Sequence, residues 1–381
     1  MTSVYAAPHE AADAAGPAAP TAAAAPADST APADIAACSL LWQIKVALGA
    51  GPRSLQVDMA FDAGPRTSTR LRLPGGWAGV LEMTAGPWSA STTSTSTSTS
   101  TSTGTGTSTG TAAAPVAPVA RLQTVADAPT LRTVSHAAGE RVQLRWRLSA
   151  PADPAQGGSV QLADSWFALA GQGVLPVPDE LDERHPPSAC VAFYGLTPHP
   201  DGADPVRWAS SHGLAEGPTA LFRVAPGAAS LRTRVQQALY AGGALQTQTQ
   251  TQTQTQTQTQ TPARSPDGGG MTLARPASVA WRFSLDALGQ AAAQAQAAQR
   301  QFWGDASAAS PLLVLLLPHA SAGAGRGSAW HQALALQVPA DLALPGSAAD
   351  ALLTESLVRS WVPDRFGPLV HTGRGDEANR A

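Results

Sequence analysis

Apolar side chains recur at every second position along much of the first half of the chain. Trp42, Ile44, Val46 and Leu48 form one such series and Leu55, Val57, Met59 and Phe61 another, interleaved with polar or small residues. A period of two marks strands that pack one face on a core and leave the other partly solvated. The pattern predicts strands over Leu40–Leu48, Ser54–Phe61, Ser68–Leu73, Gln143–Leu148, Val160–Leu162, Ala189–Phe193 and Thr219–Val224. Short strands separated by turn residues predict a β-sandwich, ending between Tyr240 and Phe283. Trp166, Phe167, Phe193, Tyr194 and Trp208 read as its core aromatics.

The periodicity then lengthens. Ser230 is placed to cap a helix with Leu231, Val235 and Leu239 on one face, and Gly242-Gly243 to end it. Val279–Phe283 reads as a strand, and Ser284 opens an alanine- and glutamine-rich helix to about Trp303. Leu312–Leu317 is uninterruptedly apolar, as a strand buried on both faces would be. A glycine-rich loop follows over Ser321–Ser328, then an alternating strand over Trp330–Val338. The last helix spans Ser347–Val362, with Ser347 and Asp350 at the spacing of a capping box and Pro363 as its stop.

Two repeats interrupt this pattern: Ser/Thr alternation over about 91–111 and Gln/Thr alternation over 246–261. Neither has an apolar face to offset the entropy of ordering, so both read as disordered surface insertions, with flanks covering 89–118 and 246–270. Residues 1–35 read as a flexible Ala/Pro-rich tail, without the basic start and apolar stretch of a secretory leader. The resulting division is a tail at 1–35, a sandwich at 36–278 and a different, helix-containing unit at 279–381.

Composition narrows the functional classes. The chain has 381 residues, 43% of them hydrophobic, enough for two or three domains with real cores. Its 24 basic residues stand against 27 acidic ones with no basic cluster, and Lys45 is the only lysine, so neither nucleic acid nor an anionic membrane is expected as a partner. The run between Pro311 and Pro318 is too short to span a bilayer. Cys38 and Cys190 are far apart, form no C-x-x-C unit, and read as two buried thiols. A cytoplasmic location is the expectation.

Five collinear segments carry a family resemblance: Arg72–Gly79 (RLPGGWAG), Arg207–Ser211 (RWASS), Ala238–Gly243 (ALYAGG), Ala298–Asp305 (AQRQFWGD) and Ser360–Gly367 (SWVPDRFG). Together they resemble the M61 glycyl-aminopeptidase family of zinc peptidases, over roughly Ala36 to Ala378. The resemblance implies an α+β protein: an N-terminal antiparallel β-sandwich followed by the first part of a thermolysin-like (gluzincin) catalytic domain. It also implies a His-Glu-x-x-His helix, in which histidines four apart share one face and grip zinc while the glutamate activates its water.

In this sequence the corresponding stretch is Leu352–Val358, where Glu355 takes the general-base position and Thr354 and Val358 take the two histidine positions. Valine has no donor atom and a neutral threonine hydroxyl is a poor zinc ligand. The family's third ligand, a later glutamate, would lie beyond Ala381. The expectation is therefore a truncated, non-catalytic aminopeptidase homologue with no cofactor, although the family carries zinc, and with a vestigial Glu355 that is solvated or locally paired. A peptide or protein is its expected partner. Two alternatives stand beside this: part of an active zinc aminopeptidase completed by another polypeptide or reading frame, and a β-sandwich interaction module.

Other clusters give less. His319, His331 and His371 lie closest in sequence to the would-be cleft, but their spacing suits no metal site. Gly323–Gly327 leads into a strand instead of a helix N-terminus, so it is no phosphate loop. The acidic run Asp179–Glu183 lacks calcium-loop spacing and reads as a solvated loop. An incomplete catalytic domain is expected to expose the apolar surface of Leu312–Leu317 and of the last helix.

Overall fold

The computed structural model describes residues 35, 37–49, 51–73, 80–87, 120–125, 128–149, 159–184, 188–197, 205–227, 229–251, 270–304, 311–319, 325–342 and 347–366. The protein is α+β and predominantly sheet. Its first strands are β1 (Leu40–Ala47), β2 (Ser54–Asp62), β3 (Ser68–Arg72), β4 (Val80–Pro87), β5 (Arg121–Val125), β6 (Ala128–Ser135), β7 (Arg141–Ser149), β8 (Val160–Leu162), β9 (Trp166–Ala170) and β10 (Val177–Pro178). Helix α1 (Asp179–Arg184), β11 (Ala189–Tyr194), β12 (Arg207–Ser210), β13 (Gly213–Glu216), β14 (Ala220–Val224), α2 (Leu231–Gln236) and β15 (Leu239–Gly243) follow. The remainder is β16 (Leu245–Thr251), β17 (Gly270–Pro276), α3 (Leu285–Trp303), β18 (Leu312–Pro318), β19 (Arg326–Trp330), β20 (Ala333–Val338) and α4 (Ser347–Phe366).

Among the described residues these strands form four sheets, in the orders β14-β11-β1-β2-β7-β4, β10-β3-β6-β5, β13-β12-β15-β9-β8 and β16-β17-β18-β20-β19. The alternating series predicted from sequence are the inner face of the first sheet. Leu40, Trp42, Ile44 and Val46 of β1 share one core with Leu55, Val57, Met59 and Phe61 of β2. Leu71 and Val134 of the second sheet and Phe167, Trp208 and Tyr240 of the third close that core from the other side.

Strands β9 and β15 of the third sheet are buried on both faces. Along β9, Phe167 and Leu169 point into the sandwich core, while Trp166, Ala168 and Ala170 point into a second core. There they meet Leu313, Leu315 and Leu317 of β18. The other leucines of β18, Leu312 and Leu316, with Val314, pack on the far side against Leu288 and Ala292 of α3 and Leu353 and Leu357 of α4. Leu312–Leu317 is therefore covered, none of its residues being more than 7% exposed. The expected exposed surface is absent there, because small alanines of the third sheet and the two helices occupy its two sides. The large apolar side chains that are exposed lie elsewhere, with Phe302 at 79%.

Several local expectations are corrected. Ser230 does cap α2, its Oγ accepting from the Thr233 N–H at 3.1 Å, but the helix ends at Gln236 and Leu239–Gly243 is a strand. Gln246–Thr251, read as the start of an insertion, pairs along β17. Its glutamines find partners: Gln248 donates to Asp286 at 2.5 Å and Gln246 accepts from Arg275 at 2.9 Å. Val279–Phe283 is bend and irregular backbone, the strand lying earlier at β17. The segment Trp330–Val338 is broken by a turn at His331–Gln332, which makes β19 and β20 a hairpin. The acidic run Asp179–Glu183 lies wholly within helix α1, with Asp179 paired to Arg232 at 2.5 Å and Glu180 near Arg66 at 3.5 Å. Helix α4 continues past Pro363 to Phe366, since a proline removes one backbone donor without obliging the helix to stop. The Ser/Thr run and residues 252–269 lie outside the described residues.

The two cysteines are joined, not free. Cys38 and Cys190 form a disulfide across 152 residues of sequence, beside Leu41 and Ala192 on the outer face of the first sheet. It closes next to the parallel pairing of β1 with β11. A Cys38→Ser, Cys190→Ser double variant is expected to lose about 2–5 kcal/mol of stability. Chemical denaturation with and without reductant measures this, the wild type losing a similar amount when reduced.

Gly242 sits between two aromatic rings. A Cβ there would lie 2.4 Å from Trp208 Cε3 and 2.7 Å from Phe167 Cε1. Gly242→Ala is expected to destabilise by about 1–3 kcal/mol through overpacking, read as a lower denaturation midpoint at unchanged slope.

Candidate functional site

A cavity of about 770 Å³ opens where the edges of two sheets face each other. Edge strand β8 of the third sheet contributes Gln161, and edge strand β19 of the fourth contributes Arg326–Ser328 and Trp330. Leu315 and Leu317 reach it from the core between the sheets. Helix α4 forms the remaining wall.

Two glycines bring β19 against that helix. A Cβ on Gly327 would fall 1.8 Å from Ser356 Oγ, and one on Gly325 would fall 2.9 Å from a Leu352 methyl carbon. The end of the glycine-rich segment is thus a strand laid on a helix, with only hydrogens at the contact.

The phase of α4 decides which of its residues meet the cavity. Leu353, Leu357 and Ser360 are buried on the core side. Gln299 of α3 donates to the Thr354 carbonyl at 3.1 Å and ties the two helices together. With that face fixed, Leu352, Glu355, Ser356 and Arg359 line the cavity. Thr354 is exposed, and neither it nor Val358 belongs to the lining.

Glu355 and Arg359, four residues apart on the cavity face, are joined by an ion pair of 2.6 Å. Both are partly solvated, so the pair contributes about 0.3–0.5 kcal/mol to the helix. The resemblance implies zinc, and these residues do not fit it: a guanidinium lies beside the one carboxylate on the helix wall. Among the described residues no group of three His, Cys, Asp or Glu side chains could hold a metal ion. His319 follows β18, its N–H donating to the Val338 carbonyl at 3.0 Å; His331 lies in the β19–β20 turn, and His371 lies outside the described residues. Neither described histidine lines the cavity.

Sequence reasoning passed over Arg326, Arg359 and His212. His212 lies in the β12–β13 turn, its ring centroid 5.9 Å from that of Tyr240. Its Nε2 and the buried Tyr240 hydroxyl have no hydrogen-bond partner among the described residues. Burial, then the charges of His331 and Arg234, lower His212 to about 4, and burial raises the Tyr240 phenol. No motif marks His212; its environment is created by the packing of distant strands.

No protein-family model matches the chain, and no curated protein sequence matches it. Solved structures do resemble it. An aminopeptidase N family protein from Idiomarina loihiensis superposes with a TM-score of 0.50 at 11% identity, covering 83% of this chain and 47% of that one. Legionella pneumophila aminopeptidase A, in complex with aspartic acid, gives a TM-score of 0.43 at 9% identity, covering 85% of this chain and 34% of that one. The chain thus spans less than half the length of either. The first likeness establishes an aminopeptidase-like fold and, at this identity, the fold alone. No helix among the described residues is long and apolar enough to cross a membrane.

A pH dependence follows from His212. Its folded-state value lies below the unfolded value near 6.5, so the unfolded chain takes up the proton first as the pH falls. The associated stability is complete above about pH 6.5 and declines towards pH 4, by at most about 1.4 kcal/mol per pH unit. Denaturation between pH 7 and pH 4 is expected to show this slope in the wild type and a shallower one in His212→Gln.

Proposed function

We propose that this protein is a non-catalytic relative of the M61-type aminopeptidases, whose cleft binds an extended peptide without cleaving it. The observation that carries the proposal is the Glu355–Arg359 ion pair on the cavity face of α4. In a His-Glu-x-x-His helix the metal-binding residues are the four-apart pair facing the cleft. Here that pair is a carboxylate and a guanidinium. On this reading the ligand positions are occupied by Glu355 and Arg359, one residue later than Thr354 and Val358, and the general-base position by Ser356.

The fold neighbour supports a peptidase ancestry, and the terminal position of β19 supports peptide binding. An edge strand leaves backbone N–H and C=O groups free to pair with an added strand. A thermolysin-like arrangement of the fourth sheet with α3 and α4 belongs to the same proposal, as does a peptide or protein as partner. The disulfide favours an oxidising compartment over the cytoplasm.

Metal analysis of the purified full chain after dialysis against zinc, with hydrolysis assays on peptides bearing N-terminal glycine or alanine, tests the proposal. The expected outcome is substoichiometric zinc and no turnover above background. Stoichiometric zinc with turnover abolished by Glu355→Gln would overturn it.

A further inference from the structure

The cavity carries an unbalanced charge. Its lining includes two arginines, Arg326 and Arg359, and one acid, Glu355. Glu355 is engaged by Arg359 at 2.6 Å. Arg326, at the start of edge strand β19, has an exposed side chain with no acidic partner among the described residues. The other polar lining residues, including Gln161, Ser328 and Gln337, are uncharged. Among the described residues, Arg326 therefore stands uncompensated beside β19, which ends its sheet.

We infer that the cleft selects an extended peptide carrying an acidic side chain, Asp or Glu, with Arg326 as its anchor. This rests on the peptide-binding reading above and adds its specificity. A peptide strand added to β19 lies alongside Arg326 itself, so one of its side chains falls within reach of the guanidinium. Arginine suits a carboxylate because its planar fork donates two parallel hydrogen bonds. A basic residue at the same place would meet like charge. The Glu355–Arg359 pair needs no rearrangement, since it remains neutral as a unit.

Fluorescence anisotropy on the full chain tests this with short labelled peptides, acetylated and amidated at their ends. They are identical except for a central Glu, Gln or Lys. The Glu peptide is expected to bind about fivefold more tightly than the Gln peptide, and the Lys peptide least tightly. The preference for Glu should shrink as salt is added. Arg326→Gln should remove it, the Glu and Gln peptides then binding with equal affinity, and Arg326→Lys should restore part of it. Equal affinity for the Glu and Gln peptides, or a Glu preference that survives Arg326→Gln, would overturn the inference and leave peptide binding intact. Binding only when the C-terminal carboxylate is unblocked would overturn the side-chain assignment. If no peptide binds, the cleft's proposed function fails with it.

Discussion

The packing of β18 between two cores is the constraint on which the arrangement depends. Its residues alternate between the alanine-faced third sheet and the helices α3 and α4, so one strand fixes the position of both halves of the molecule. Ala168, Ala170 and Ala241 matter for what they lack. Small side chains let the two sheets approach closely, and each leucine of β18 that fills the gap removes about 2–3 kcal/mol worth of apolar surface from water. The cleft is the place where this packed interface reaches the edge of both sheets and ends.

The same packing sets the phase of α4 and thereby the chemistry of the cleft. Leu353 and Leu357 commit one face of the helix to the core, and Gly325 and Gly327 let β19 press on another. A helix clamped on two sides cannot rotate to present different residues. The side chains left for the cavity are therefore Leu352, Glu355, Ser356 and Arg359, whatever a linear motif would assign to their neighbours.

Legibility in the sequence followed apolar patterning: alternating strands and the uninterruptedly apolar β18 could be read, whereas β9, β15 and the polar β16 could not. β1, β2 and β7 alternate cleanly and were found within two residues of their ends. β9 and β15 are apolar or small at every position because both faces are covered, and their alternation between two cores is invisible without the structure. β16 failed in the opposite sense, since a polar strand is held by pairing to β17 and by side-chain bonds from distant residues. The disulfide was missed because 152 residues of separation hide a contact made by parallel pairing of β1 and β11. For the site, the helix itself was legible from the capping-box spacing of Ser347 and Asp350 at its start. Its rotation was not, because Thr354 and Val358 and the pair Glu355 and Arg359 satisfy the same four-residue spacing, and only burial distinguishes them.

Electrostatics gives the ion pair a meaning beyond an absent histidine. A zinc site gathers lone pairs around a central cation, and its carboxylates and imidazoles are mutually tolerable because that cation is there. A carboxylate followed four residues later by a guanidinium is the opposite design: the carboxylate has its counter-charge on the same helix, in the orientation that helices favour. A metal approaching Glu355 would have to displace Arg359 and then remain beside its positive charge. On the proposed reading the cavity wall needs no metal, and among the described residues the cavity's remaining positive charge lies on β19, at Arg326.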